Sequence, residues 1–422
     1  MKPGQAPSDS VPRPTSRDAL MPPKSPHRSG VSWPHQRCKD EPRTLAPRLL
    51  SPPSPPPVAS SEWRKQLQTA AAALHQAGVE RVVILHGTFA GTDAAGLLTE
   101  LARHLPGASE GLGRIAKQLV NALMRDNGNY TPEYGRAFGE ALREAACAAT
   151  TVKSGANVAV KMLDWSGENH HLGRAHAAVR LVDELSRTPL SPGKRLLVWG
   201  HSHGGNVAAL ATRLLAGEPE EIEAFFSAAR CYFRRLWFTE SELSLWPKVE
   251  QVLRDGARPA LPHRIDVATF GTPLRYGWCE EATGRIIHFV NHRPIAGLAE
   301  HRTAAPRSAA DILNAVGGDY IQQLGIAGSN VAPPLWMLRA WLADGRLNRL
   351  LQPRDVHWRN LWARISEGVR TAESGRTLLV DYGPPSDGIE QHLAGHGVYT
   401  RLAWLPFHMH LTAQQLSKTA AD

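Results

Sequence analysis

The chain has 422 residues, 42% hydrophobic and 21% charged, the balance of a globular protein that buries one substantial core. Its formal charge of +9 is uneven: residues 1–60 hold nine Lys or Arg against four Asp or Glu, giving +5 and leaving +4 for the rest. That remainder forms no basic stripe interleaved with aromatics, so the composition argues against a nucleic-acid partner. The four cysteines are scattered, with neither metal-type Cys-x-x-Cys spacing nor a small disulfide framework, and read as reduced thiols. No apolar run reaches the roughly 18 residues of a membrane span, and the N-terminus lacks the apolar core of a secretory signal. The expectation is a cytoplasmic protein, with signal-independent secretion left open.

Residues 1–60 carry 15 of the 32 prolines and show no helical or strand period. Such a segment offers too little apolar surface to offset its ordering entropy and reads as a disordered, basic, Pro-rich arm. It serves as a linker, or its proline run docks an adaptor as polyproline II. From Glu62 onward helices alternate with short β-branched runs, the pattern of a parallel sheet covered on both faces. In chain order the sequence predicts a helix over 63–77, a strand over 81–86, helices near 94–104, 112–125 and 132–148, and a strand over 157–165. A helix near 172–187 leads to a strand over 195–200, followed by a helix with Val207, Leu210, Ala211 and Leu214 on one face and Gly217 as its cap. A helical insertion at about 218–262 is rich in Phe and Trp. Strands over 265–270 and 285–290 follow, then a second helical insertion at about 326–370 carrying Trp336, Trp341, Trp358 and Trp362, and a last strand over 376–381. The fold class expected for residues 61–422 is α/β, with a mostly parallel central sheet flanked by helices and interrupted by two helical caps.

One motif sits where a strand ends and a small-residue helix begins, Gly200-His201-Ser202-His203-Gly204. A nucleophile at such a turn is lifted out of the sheet, and the backbone folds tightly enough that Gly200 and Gly204 must lack side chains. The turn also aims the His203 N–H and the helix N-terminus at a developing oxyanion. The competing reading is a glycine-rich turn with an ordinary capping serine. A second cue is an earlier strand ending in His86-Gly87-Thr88-Phe89. Together these features resemble the lipase and esterase branch of the α/β-hydrolase superfamily, over about residues 78–410.

The resemblance implies a second oxyanion donor in the loop after the first strand, by position the N–H of Thr88, with Phe89 next and Gly87 shaping the loop. It also implies the chain order Ser, acid, His. A serine needs a base, and the base needs an acceptor to fix its tautomer. His396, between two glycines after the last strand, is the preferred base over His392, His408 and His410. The strand over 285–290 ends in Asn291-His292-Arg293-Pro294, with no carboxylate where the family has one. Asp319, after Gly317-Gly318, is the preferred acid, displaced by an insertion. Asp381 is the alternative acid, with Glu300, Asp311 and Asp387 behind it, and helix N-capping is the competing role for Asp319.

The loop 164–171 reads equally as a pocket wall or an ordinary hydrogen-bonded loop. The aromatic insertions read as lids over an acyl chain, or more simply as core, and Arg234, Arg235 and Arg339 beside them suit an anionic head group. The function implied is hydrolysis of carboxylic esters, on an ester or lipid-like substrate with transient contact with a membrane surface, requiring no cofactor and no metal. An acyltransferase or thioesterase on the same site, or a catalytically silent binding protein of the same fold, is the alternative.

Overall fold

The computed structural model describes residues 33–39, 46–88, 129–149, 158–187, 190–233, 244–254, 265–328, 330–352, 360–385, 388 and 392–418. Seven strands form one sheet in the order β1-β7-β6-β5-β4-β2-β3: β1 Arg48–Leu50, β2 Val79–Leu85, β3 Ala159–Leu163, β4 Arg195–His201, β5 Ile265–Phe270, β6 Thr283–Asn291 and β7 Arg376–Val380. Every pairing is parallel, for example Val83 opposite Val198 and Val198 opposite Val267. A parallel sheet hides both faces, which is why β2, Val-Glu-Arg-Val-Val-Ile-Leu, is buried throughout.

Alternate residues of each strand feed two separate cores. Val83, Leu85, Leu196, Val198 and Val267 point into one. There they meet α3 (His171–Arg187), α4 (His203–Ala216), α5 (Pro219–Phe233), α6 (Leu245–Arg254) and α9 (Leu338–Leu351). Val82, Ile84, Leu197, Trp199 and Phe270 point into the other. That side is closed by α1 (Ser61–Gln76), α2 (Pro132–Ala149) and α11 (Leu405–Ser417). Three short helices, α7 (Ala309–Leu313), α8 (Tyr320–Ile326) and α10 (Leu361–Glu367), lie in the connection between β6 and β7 or border it. β3 is an edge strand with alternating exposure, and is shorter than its sequence run because one edge has no partner to extend.

One expectation needs correction. The N-terminal arm read as disordered contributes a strand: Arg48, Leu49 and Leu50 pair with Leu378, Leu379 and Val380. Ahead of it, Trp33 is buried, stacks on Phe225 at 5.3 Å and donates its indole N–H to Glu221 O at 3.2 Å. A few apolar anchors suffice because the rest of the chain supplies the surface, and an edge strand tolerates neighbouring prolines that cannot donate to a ladder. Of the two readings of the insertion at 218–262, the core reading holds over its described length. Phe225, Phe226, Phe233 and Trp246 form a buried cluster between α5 and α6, with Trp246 stacked on Phe225 and Phe233 and edge-on to Phe226. The helices expected near 94–104 and 112–125 lie outside the described residues, as do Arg234, Arg235 and Trp358.

Candidate active site

Strand order reverses between β2 and β4, because β2 leads outward to β3 while β4 leads the other way to β5, β6 and β7. Such a switch point opens a crevice at the carboxyl ends of the strands, since the connections leave in opposite directions. His86, Gly87 and Thr88 leave β2 there, and Ser202 leaves β4 beside them.

Ser202 has φ 50° and ψ −128°, a conformation that side chains rarely adopt. Packing holds it there. A Cβ on Gly204 would lie 2.7 Å from Leu85 O and 2.8 Å from His86 O, and one on Gly200 would lie 2.8 Å from Gly205 N. A Cβ on Gly87 would lie 2.8 Å from Ser202 Cβ and 2.9 Å from His201 Nδ1, so the loop after β2 is pressed directly against the turn. The Gly87 N–H is taken by Asn129 Oδ1 at 3.0 Å, which fixes that loop. His203 is the first residue of α4, so its N–H has no acceptor within the helix.

Asp319 and His396 come together although 77 residues separate them: His396 Nδ1 donates to Asp319 Oδ2 at 2.7 Å, and both are buried. A carboxylate only accepts, so the Nδ1–H tautomer is selected and Nε2 keeps its lone pair. The other carboxylate oxygen, Oδ1, accepts from Gln322 N at 2.8 Å and caps α8. The cap of α8 and the bond to His396 thus fall on one side chain, one oxygen each.

The residue that joins these loops is Asn291, at the end of β6. Its carbonyl accepts from Asp319 N at 2.9 Å, its amide side chain donates to Gly395 O at 2.7 Å, and its N–H donates to Tyr399 Oη at 2.6 Å. Tyr399 Oη in turn donates to Asp319 Oδ2 at 3.0 Å, and burial pushes its phenol well above the ordinary range, so it stays a donor. Buried Arg370 clamps the acid loop from behind, donating to Asn291 O at 2.9 Å, Gly317 O at 2.7 Å and Gln323 Oε1 at 3.0 Å. Gly318 has φ +92°, and a Cβ there would collide with Asn291 O, so only glycine lets the loop close on β6.

Sequence reasoning missed Asn291, Tyr399, Arg370 and His201. The His201 ring packs 4.6 Å from the His396 ring, centroid to centroid. Burial holds both His201 and His203 well below the ordinary histidine range, with Arg174 and Arg275 adding to the effect on His203. His201 lies inside the glycine motif, but no local pattern announces Asn291, Tyr399 or Arg370, because their partners are remote in the chain.

The other candidates lie elsewhere. Asp381 accepts from Gly383 N at 2.9 Å and sits 3.6 Å from Arg293 Nε. Asp311 accepts from Arg307 N at 2.8 Å, and Asp387 lies outside the described residues, as does Phe89. His392 Nδ1 accepts from Gly395 N at 3.3 Å, and His408 is buried against Phe270 and bonded to Tyr382. The loop 164–171 takes the ordinary course: Trp165 stacks on His86 and donates to its carbonyl, and Asn169 accepts from Arg174. Among the described residues no group of three or more His, Cys, Asp and Glu side chains is placed to hold a metal ion, and no helix is long and apolar enough to cross a membrane. The whole is an α/β protein with a buried Asp–His pair whose imidazole packs against the ring of His201, the residue before Ser202 on its strained strand-to-helix turn. Comparison of the chain with protein-family models, with curated proteins and with solved structures gave no match in any of the three.

Proposed function

We propose that the chain is a serine hydrolase of the α/β-hydrolase type that cleaves carboxylic esters through an acyl-enzyme. Ser202 Oγ attacks the ester carbonyl while His396 Nε2 takes its proton, and Asp319 stabilises the imidazolium through Nδ1–H. The N–H groups of His203 and Thr88 face the carbonyl oxygen as it gains charge, each worth about 3 kcal/mol in the transition state. The imidazolium then protonates the departing alkoxide, and water repeats the sequence on the acyl-enzyme. The observation that carries this reading is the 2.7 Å Asp319–His396 pair, formed from loops after β6 and β7 while the strained Ser202 follows β4. That is the chain order the chemistry takes in the family the sequence resembles.

The test is labelling with a fluorophosphonate probe, which reacts only with an activated serine. Folded protein is expected to form one adduct, at Ser202, that is absent in Ser202→Ala. Folded protein that stays unlabelled refutes the proposal. p-Nitrophenyl esters of rising chain length then report the acyl preference.

A further inference from the structure

A helix on the outside of a protein ordinarily shows water a polar face. α9 does so only in its second half. Ala340, Ala343, Leu347 and Leu351 face inward against the core. Outward, at helical spacing, come Leu338, Trp341 and Leu342, preceded by Leu335, Trp336 and Met337 in the adjoining turn. These six are among nine exposed large hydrophobic side chains in the described residues, and Trp336 is 85% exposed. The outer face continues through Gly345 into exposed Arg346 and Arg349, with exposed Arg339 at its flank. The acidic residue of the helix, Asp344, is turned inward and accepts from Leu172 N at 2.9 Å. The outer face is therefore apolar at one end, cationic at the other, and free of negative charge from its own helix.

We propose that residues 335–349 dock the protein on an anionic lipid bilayer. Tryptophan and leucine side chains enter the boundary between head groups and acyl chains, while guanidinium groups pair with lipid phosphates and carboxylates. The charge pattern selects this occupant, because a purely apolar partner leaves Arg346 and Arg349 unmatched. The segment is tied to the sheet edge that carries Ser202: Val331 N donates to Asn169 O at 2.9 Å, and Arg174 donates to Asn330 Oδ1 at 2.6 Å, both partners lying in or next to the loop after β3. The inference stands apart from the ester chemistry, since adhesion needs no nucleophile.

Cosedimentation of the full chain with vesicles tests it. Binding to phosphatidylcholine vesicles containing phosphatidylserine is expected, weakened by salt, and weaker still on phosphatidylcholine alone. Arg346→Gln with Arg349→Gln is expected to lower affinity for the anionic vesicles about tenfold and to remove most of the salt dependence. Leu335→Ser with Trp336→Ser is expected to lower it at least about tenfold on both vesicle types. These side chains are exposed, so circular dichroism should stay unchanged. Ser202→Ala is expected to bind like the parent chain, which separates failure of docking from failure of the hydrolase reading. Absence of binding to anionic vesicles, equal binding by the variants, or a Trp336-dependent dimer in sedimentation equilibrium overturns the proposal.

Discussion

Asn291 occupies the place at the end of β6 where the family resemblance puts a carboxylate, and it has taken a different task. Its backbone and side chain hold both the loop of Asp319 and the turn before His396, with bonds to Asp319, Gly395 and Tyr399. Removing the side-chain bond leaves Gly395 O without this donor and loosens the turn before His396. For Asn291→Ala we expect kcat on a p-nitrophenyl ester to fall about tenfold to a hundredfold with KM little changed, because a small misplacement of a proton acceptor is costly in the transition state. Asp319→Asn selects the wrong tautomer and should cost about 10⁴ in kcat, whereas Asp381→Asn should leave kcat near that of the parent chain. A larger loss in Asp381→Asn than in Asp319→Asn would reverse the assignment of the acid. Ser202, His396 and Asp319 could be named as candidates from residue type and from the chain order of the family the sequence resembles. Asn291, Tyr399 and Arg370 could not, since an Asn, a Tyr or an Arg in isolation says nothing about which loops it will join.

At the scale of elements, the interior strands were legible because burial on both faces forces an unbroken apolar run. β5 spans the same six residues in sequence and structure. β1 was not legible: three residues between prolines carry no period, and only the exposed edge of β7 makes them a strand. The aromatic insertion was legible as helical, but its position was not, because an aromatic stripe looks the same whether it covers a site or fills a core. Two glycines show how context decides a substitution. A Cβ on Gly204 meets backbone oxygens of Leu85 and His86, which cannot yield, so Gly204→Ala should lower stability by about 1–3 kcal/mol in urea unfolding. A Cβ on Gly345 meets nothing within 4 Å and sits inside α9, so Gly345→Ala should raise stability by about 0.5–1 kcal/mol.

Across the whole molecule, burial of histidine sets how the fold responds to acid. His288, between Thr269 and Ser374 O, and His292 are each lowered to about 4, and His408 to about 3, chiefly by desolvation. Unfolded histidine titrates near 6.5, so below that pH the unfolded chain takes up protons that the fold refuses. The stability from keeping these rings neutral is complete above about pH 6.5 and is lost as pH falls toward 4, by about 1.4 kcal/mol per unit for each ring. Urea midpoints should therefore drop steeply over that window, and His408→Phe should shallow the slope; a flat profile would contradict the burial of these groups. The sequence by itself determined the α/β class and the strand-to-helix turn at Ser202, because periodicity and glycine spacing are local properties. Only the tertiary structure decided which carboxylate meets His396, that the N-terminal arm joins the sheet, and that Trp341 of α9 and Trp336 in the turn before it face outward. Those outcomes depend on which distant surfaces meet when seven strands align, and no local window of sequence contains that contact.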